Sequence, residues 1–261
     1  MTVLVDGWTL TQRNVLRLRH EPGTLLTIML MPTVFVVLFG FVFGSAIHVP
    51  GSSNYREYMM PGMFVLGTGT ALSSAMVDVA MDQARGVMDR LRSMPTNRVS
   101  VPLGQSGSEG LVGVYGLVVL MVYGLIVGWR PHNGIAKTVA AIGLLLLFRY
   151  TLAWVGTYLG LAIREASTAA NLAPLTLPLT MVSNAFVPTS GMPTWLRTIC
   201  EWNPLSSLAT ATRSLFGNPG VAEPHAALPL THPVASTMLW IAVLLVIFVP
   251  LSARRFARAG L

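Results

Sequence analysis

The sequence predicts an all-α membrane protein, a bundle of six transmembrane helices forming one domain. Three observations carry this. The 261-residue chain is 53% hydrophobic and only 10% charged, with a mean hydropathy of +0.63, which is more apolar surface than one soluble core can hide. Its apolar residues fall in blocks of about 20, the length of helix that crosses a hydrocarbon core. Its basic residues stand at the ends of those blocks rather than on one polar face, so the net charge of +7 reads as membrane orientation and not as a nucleic-acid surface.

Residues 1–24 form the first unit. There Trp8, Val15, Leu16 and Leu18 interleave with Gln12, Arg13, Arg17 and Arg19, a pattern that predicts an N-terminal helix lying in the membrane interface. Met1 to Leu10 lack the basic region, apolar core and small-residue cleavage site of a signal peptide, so the first apolar block is expected to stay as an anchor. Spans are predicted at Leu25–Phe43, Gly62–Met81, Leu111–Trp129, Leu144–Ile163, Ala169–Val187 and Val234–Leu251, a transmembrane domain over 25–251. The helical pattern of the fourth begins near Ile135. A basic tail, 252–261, follows. With an even number of spans both termini share one side, and assigning that side to the cytoplasm places 11 Lys and Arg inside against 5 outside. The positive-inside rule therefore predicts a multi-pass cell-membrane protein with both termini cytoplasmic.

Two loops stand out. Between the second and third spans, Val87, Met88, Leu91 and Met94 share one face of a short helix, with Asp82, Arg85, Asp89 and Arg92 largely on the other and Pro95 as its stop. Such a helix either offers a partner an apolar ridge flanked by charge or covers the inner ends of the spans. The outer loop from Pro188 to Pro233 carries Met192, Trp195, Leu196, Ile199, Trp202, Leu205, Leu208 and Phe216, too apolar for solvated coil. Its first part is expected to be re-entrant, a half-helix dipping toward the membrane under cover of protein, with the two Trp at the outer interface.

The residues exclude several chemistries. No G-x-x-x-x-G-K-[ST] loop is present to hold nucleotide phosphates. All five His lie outside the apolar blocks, so neither a Ser–His dyad nor an HExxH zinc site is expected at membrane depth. Ser190-Gly191 lacks the first glycine of a nucleophile elbow, and the single Cys200 allows no intrachain disulfide. No catalytic residue, metal ligand or cofactor is predicted in this chain. Asp78 reads as a boundary residue paired with a loop Arg, and Arg149 as a side chain snorkelling to the outer interface. Uncharged polar residues cluster on two spans: Thr68, Thr70, Ser73 and Ser74 with Gly67 and Gly69, and Thr176, Thr180, Ser183 and Asn184 with Pro174 and Pro178. Each alone reads as helix packing; together the two weakly polar faces suit a path for an amphipathic or lipid-like solute.

The segment Arg85-Gly86-Val87-Met88-Asp89-Arg90-Leu91-Arg92-Ser93-Met94-Pro95 is similar to a loop of the daunorubicin-resistance type of permease within the type-2 ABC exporters. Tyr58-Met59-Met60-Pro61-Gly62, Leu177-Pro178, Ser183-Asn184-Ala185-Phe186-Val187-Pro188, Met192-Pro193, Trp195-Leu196 and Asn203-Pro204-Leu205 resemble that family in the same order. The resemblance covers nearly the whole chain. It implies a homodimeric permease in membrane lipid that pairs with cytoplasmic ABC ATPase subunits, which bind the ATP and Mg, and that extrudes a hydrophobic drug, antibiotic or lipid. It also implies that Arg85, Val87, Met88, Asp89, Arg90, Leu91, Arg92 and Met94 form the coupling helix on the ATPase. Asn184 stands where the family usually has Gly, so no family role is carried over for it. Export of a polysaccharide or polyketide lipid is the alternative within the class. A stand-alone secondary transporter is the alternative outside it, though such a protein would more usually carry acidic or His residues at mid-membrane.

Overall fold

The structure is a computed structural model, and it describes residues 22–42, 55–86, 100–163, 165–220 and 226–258. Among the described residues every regular element is helical. The predicted interfacial helix before Pro22 lies outside them.

Helix α1 (Pro22–Val37) opens on Pro, whose missing N–H costs nothing at a helix start, and widens into a π turn at Leu38–Val42. Helix α2 (Tyr55–Ala84) is 30 residues long and ends where Gly86 turns left-handed at φ 67°, the usual way a glycine stops a helix. Helix α3 (Ser100–Val127) ends at Gly128, whose φ is 99°. Helix α4 (Gly134–Ala162) follows after a short turn. Then come α5 (Ala166–Leu172), a 3₁₀ turn at Ala173–Leu175 and α6 (Thr176–Met181). The outer segment holds α7 (Thr194–Trp202) and α8 (Pro204–Phe216). Asn203 caps α8, its Oδ1 accepting from Leu205 N at 2.9 Å. A short α9 (Leu228–Thr231) leads into α10 (Pro233–Arg258).

Three of these helices are long and apolar enough to cross a membrane, over Tyr55–Ala84, Gly134–Ala162 and Pro233–Phe256; shorter apolar helices occupy Pro32–Val42 and Val112–Val127. The second, fourth and sixth predicted spans are thus continuous helices, the fourth starting at Gly134 rather than Leu144. The fifth is not one helix. Pro174 and Pro178 supply no N–H, so the chain tightens to 3₁₀ between α5 and α6, and 182–188 is irregular.

Helix α2 is the hub. It packs most extensively on α4, and also on α3, α5, α6 and α8. Along α4, Gly156 and Gly160 lie one turn apart against the Leu72 and Met76 carbonyls; a Cβ on Gly160 would stand 2.6 Å from Met76 O. Small residues at this spacing let two helix backbones touch. Gln83 Nε2 closes the Ala84 end of the seam on Gly160 O at 2.7 Å. Helix α10 lies at the edge, with Leu239 and Val246 exposed and Arg255 Nε donating to Leu161 O at the end of α4.

Candidate transport path and outer polar cage

The two polar faces expected to line a path are brought together. Helices α2 and α6 meet where Gly69 leaves room for the Thr180 hydroxyl, 2.8 Å from the place a Cβ would take. On α2, Thr68 donates to Phe64 O, Thr70 to Gly67 O, and Ser73 and Ser74 to Thr70 O. On the other side Thr176 donates to Ala173 O, Thr180 to Thr176 O and Ser183 to Thr180 O. A hydroxyl has one proton to give. All seven are given to neighbouring backbone carbonyls; Thr68, Thr180 and Ser183 are buried and Ser183 Oγ accepts from Ala185 N, so the oxygens that reach the surface are those of Thr70, Ser73, Ser74 and Thr176.

Arg149 corrects the sequence reading. Because α4 begins at Gly134, Arg149 lies about 22 Å along it at 1.5 Å per residue, well beyond the reach of a snorkelling side chain to the outer end. It is buried, with Nη1 donating to Gly67 O at 2.7 Å and to Thr70 Oγ1 at 3.3 Å. Its stem lies against Gly113 of α3, where any Cβ would collide with it. One side chain thereby joins α2, α3 and α4 beside the predicted path.

The segment expected to be re-entrant holds two helices of different burial. The first part of the outer segment is amphipathic and half exposed: Trp195, Ile199 and Trp202 face outward on α7. Glu201 on the opposite face ties it down, accepting from Arg197 Nε at 2.7 Å, Thr189 Oγ1 at 3.3 Å and Ala227 N at 2.9 Å. Beside it, burial and the Glu201 carboxylate raise the Cys200 thiol. The deeply buried helix is the second one, α8, whose residues from Leu205 to Arg213 are all buried and which packs on α2, α4 and α10.

Helix α8 builds the feature that sequence reasoning missed. After Val182 the broken span makes no helical ladder, so the carbonyls of Asn184, Ala185 and Phe186 need outside donors. Tyr58 Oη donates to Asn184 O at 2.8 Å and Tyr55 Oη to Phe186 O at 3.0 Å. Arg213, counted from sequence as an external loop charge, is wholly buried and donates through Nη2 to Asn184 O at 2.9 Å and Ala185 O at 2.6 Å, and through Nε to Tyr58 O at 3.1 Å. Its guanidinium lies 3.7 Å over the Tyr58 ring. Asn184 Nδ2 donates to Thr210 Oγ1 at 2.8 Å, and Asn184 N to Ser206 Oγ at 3.0 Å. Gly62 makes the closure possible, because its missing side chain is where the Ala185 carbonyl sits. An aromatic trio of Phe64, Trp129 and Phe216 adjoins this cage, all edge to face, and Trp129 Nε1 donates to Asn218 Oδ1 at 2.8 Å. The one legible signal was the Asn203-Pro204 helix start, which opens α8 and puts Arg213 in its last turn.

Arg85 is exposed just past the end of α2. The remaining predicted partner-binding residues, Val87, Met88, Asp89, Arg90, Leu91, Arg92 and Met94, lie outside the described residues. Among the described residues no three His, Cys, Asp or Glu side chains gather as a metal site would need.

The sequence pattern of the family described as ABC-2 type transporter matches residues 6–216. The daunorubicin resistance ABC transporter permease protein DrrB1 of Streptomyces coeruleorubidus is 30% identical over 212 residues, 78% of this chain and 72% of that one. The putative transport permease ycf38 of Pyropia yezoensis is 27% identical, over 80% of this chain and 73% of its own length. The probable doxorubicin resistance ABC transporter permease protein DrrC of Mycobacterium tuberculosis is 20% identical, over 93% and 85%.

Proposed function

Because the chain belongs to the ABC-2 type transporter family, we propose that it is the transmembrane subunit of an ABC exporter that moves a hydrophobic drug, antibiotic or lipid-like solute out of the cell. The observation that carries this reading is the family match across residues 6–216 of a chain that folds into apolar helices. The sequence contains no nucleotide-binding loop, so the work of ATP falls to a cytoplasmic ABC ATPase subunit. Two permease copies, with their termini in the cytoplasm, complete the assembly. The solute passes along the seam of α2 and α6. Lone pairs on Thr70, Ser73 and Thr176 favour an amphipathic solute that brings its own hydroxyl or amine donors, while the flanking Leu, Val and Met side chains suit its apolar body.

Coupling runs through the ridge Val87, Met88 and Leu91. Replacing Leu91 or Met88 by Asp would set a charge against an apolar socket on the ATPase. In membranes containing both subunits, export and co-purification of the ATPase are expected to fall together while permease abundance holds. Unchanged co-purification for both variants would overturn the docking role. ATP-dependent, daunorubicin-stimulated turnover by the reconstituted pair tests the exporter reading itself, and robust hydrolysis by the permease alone would refute it.

A further inference from the structure

Two polar atoms of the cage have no hydrogen-bond partner among the described residues: Nη1 of Arg213 and Oδ1 of Asn184. Arg213 is wholly buried and Asn184 is 5% exposed, so bulk water serves neither. The two are complementary. One is a donor and one an acceptor, on residues already joined by the 2.9 Å bond from Nη2 to the Asn184 carbonyl. In this orientation of the amide Nδ2 is given to Thr210, which leaves Oδ1 as the unserved atom. A third such atom, Ser207 Oγ, lies one turn from Thr210 on α8. Buried polar groups in folded proteins rarely go unserved, and a complementary pair is where a small ligand sits.

We propose that the cage is a binding site for one hydroxyl-bearing group, which accepts from Arg213 Nη1 and donates to Asn184 Oδ1. Its chemistry follows from the two atoms. A carboxylate or phosphate would satisfy the guanidinium but face the amide oxygen with its own lone pairs, and an ammonium would face the guanidinium charge. A hydroxyl oxygen accepts and donates at once. It has two sources: a resident water, or a hydroxyl of the solute in transit, the second resting on the exporter reading.

X-ray radiolysis of the full permease–ATPase complex in lipid, with side-chain oxidation read by mass spectrometry, tests this. A bound water generates radicals where it sits, so Tyr58, stacked on Arg213, should oxidise several-fold faster than the equally buried Phe64. Asn184→Leu removes the acceptor and should abolish the excess. Thr210→Val, a milder change that releases Nδ2, should reduce it even where the first variant folds poorly. Saturating daunorubicin separates the sources: protection of Tyr58 assigns the site to a solute hydroxyl, and unchanged oxidation assigns it to water. Oxidation of Tyr58 no faster than Phe64, or unaffected by both substitutions, overturns the proposal. The drug-free measurement stands even if the complex exports nothing.

Discussion

Helix α2 meets its neighbours in two contrasting ways. Toward α4, between the bonds from Arg149 to Gly67 O and from Gln83 to Gly160 O, it offers a seam in which Gly156 and Gly160 let backbone lie on backbone. Toward the irregular segment 182–188 and α8, at its other end, it offers Tyr55 and Tyr58, whose hydroxyls join Arg213 in serving three stranded carbonyls. An intact helix satisfies its own backbone, so shape dominates where two such helices touch, and donors such as Arg149 and Gln83 only add to it. Once a span is broken its carbonyls must be answered by side chains, and the packing becomes a matter of chemistry. The first kind of contact tolerates no added atom; the second tolerates no lost donor.

Four substitutions sharpen or break this contrast. The largest effect is expected from Gly156→Leu, which drives a side chain into the Leu72 carbonyl; overpacking of this kind costs about 1–3 kcal/mol and sometimes more. Abundance and thermal stability in detergent should collapse, whereas Gly143→Ala, which meets open space, should change little. Equal stability of the two variants would break the comparison. Arg213→Met comes next. It strands the Ala185 carbonyl and leaves Asn184 O to Tyr58 alone, at about 1–3 kcal/mol per unsatisfied group. Hydrogen exchange should rise selectively across 182–188, and a uniform rise over the chain would argue against the cage.

Arg149→Lys is third. Lys is a single point donor and cannot match the guanidinium's reach to Gly67 O and Thr70 while lying along Gly113. A stability loss of about 1 kcal/mol is expected, and a silent substitution would return Arg149 to the interface. The smallest effect belongs to Tyr58→Phe. It removes one donor, but Asn184 O keeps Arg213, so the change should stay near or below about 1 kcal/mol and be detectable only as faster exchange at 184–186.

The sequence revealed more of the apolar architecture than of the polar one, for a physical reason. Hydropathy averages over a window, so it located the helices of the second, fourth and sixth spans. It also drew Ala169–Val187 as a helix, because a window does not ask where the carbonyls freed by Pro174 and Pro178 find donors. Starting the fourth span at Leu144 moved Arg149 to the outer edge and hid its role. Had the helix been begun at Ile135, where its pattern starts, the same residue would have stood mid-helix. Arg213 was harder to read: its partners Tyr58, Asn184 and Ala185 are 155, 29 and 28 residues away, and nothing local marks a surface-looking Arg as buried. The polar residues of α2 and α6 were found from composition alone, yet the direction of their hydroxyls depends on backbone geometry that composition does not contain.

Helix α2 runs unbroken from Tyr55 in the cage to Ala84, about 45 Å at the standard rise. Pro61 removes one backbone hydrogen bond between the cage and the glycine seam, so the helix is two lengths joined at a softer point rather than one rigid rod.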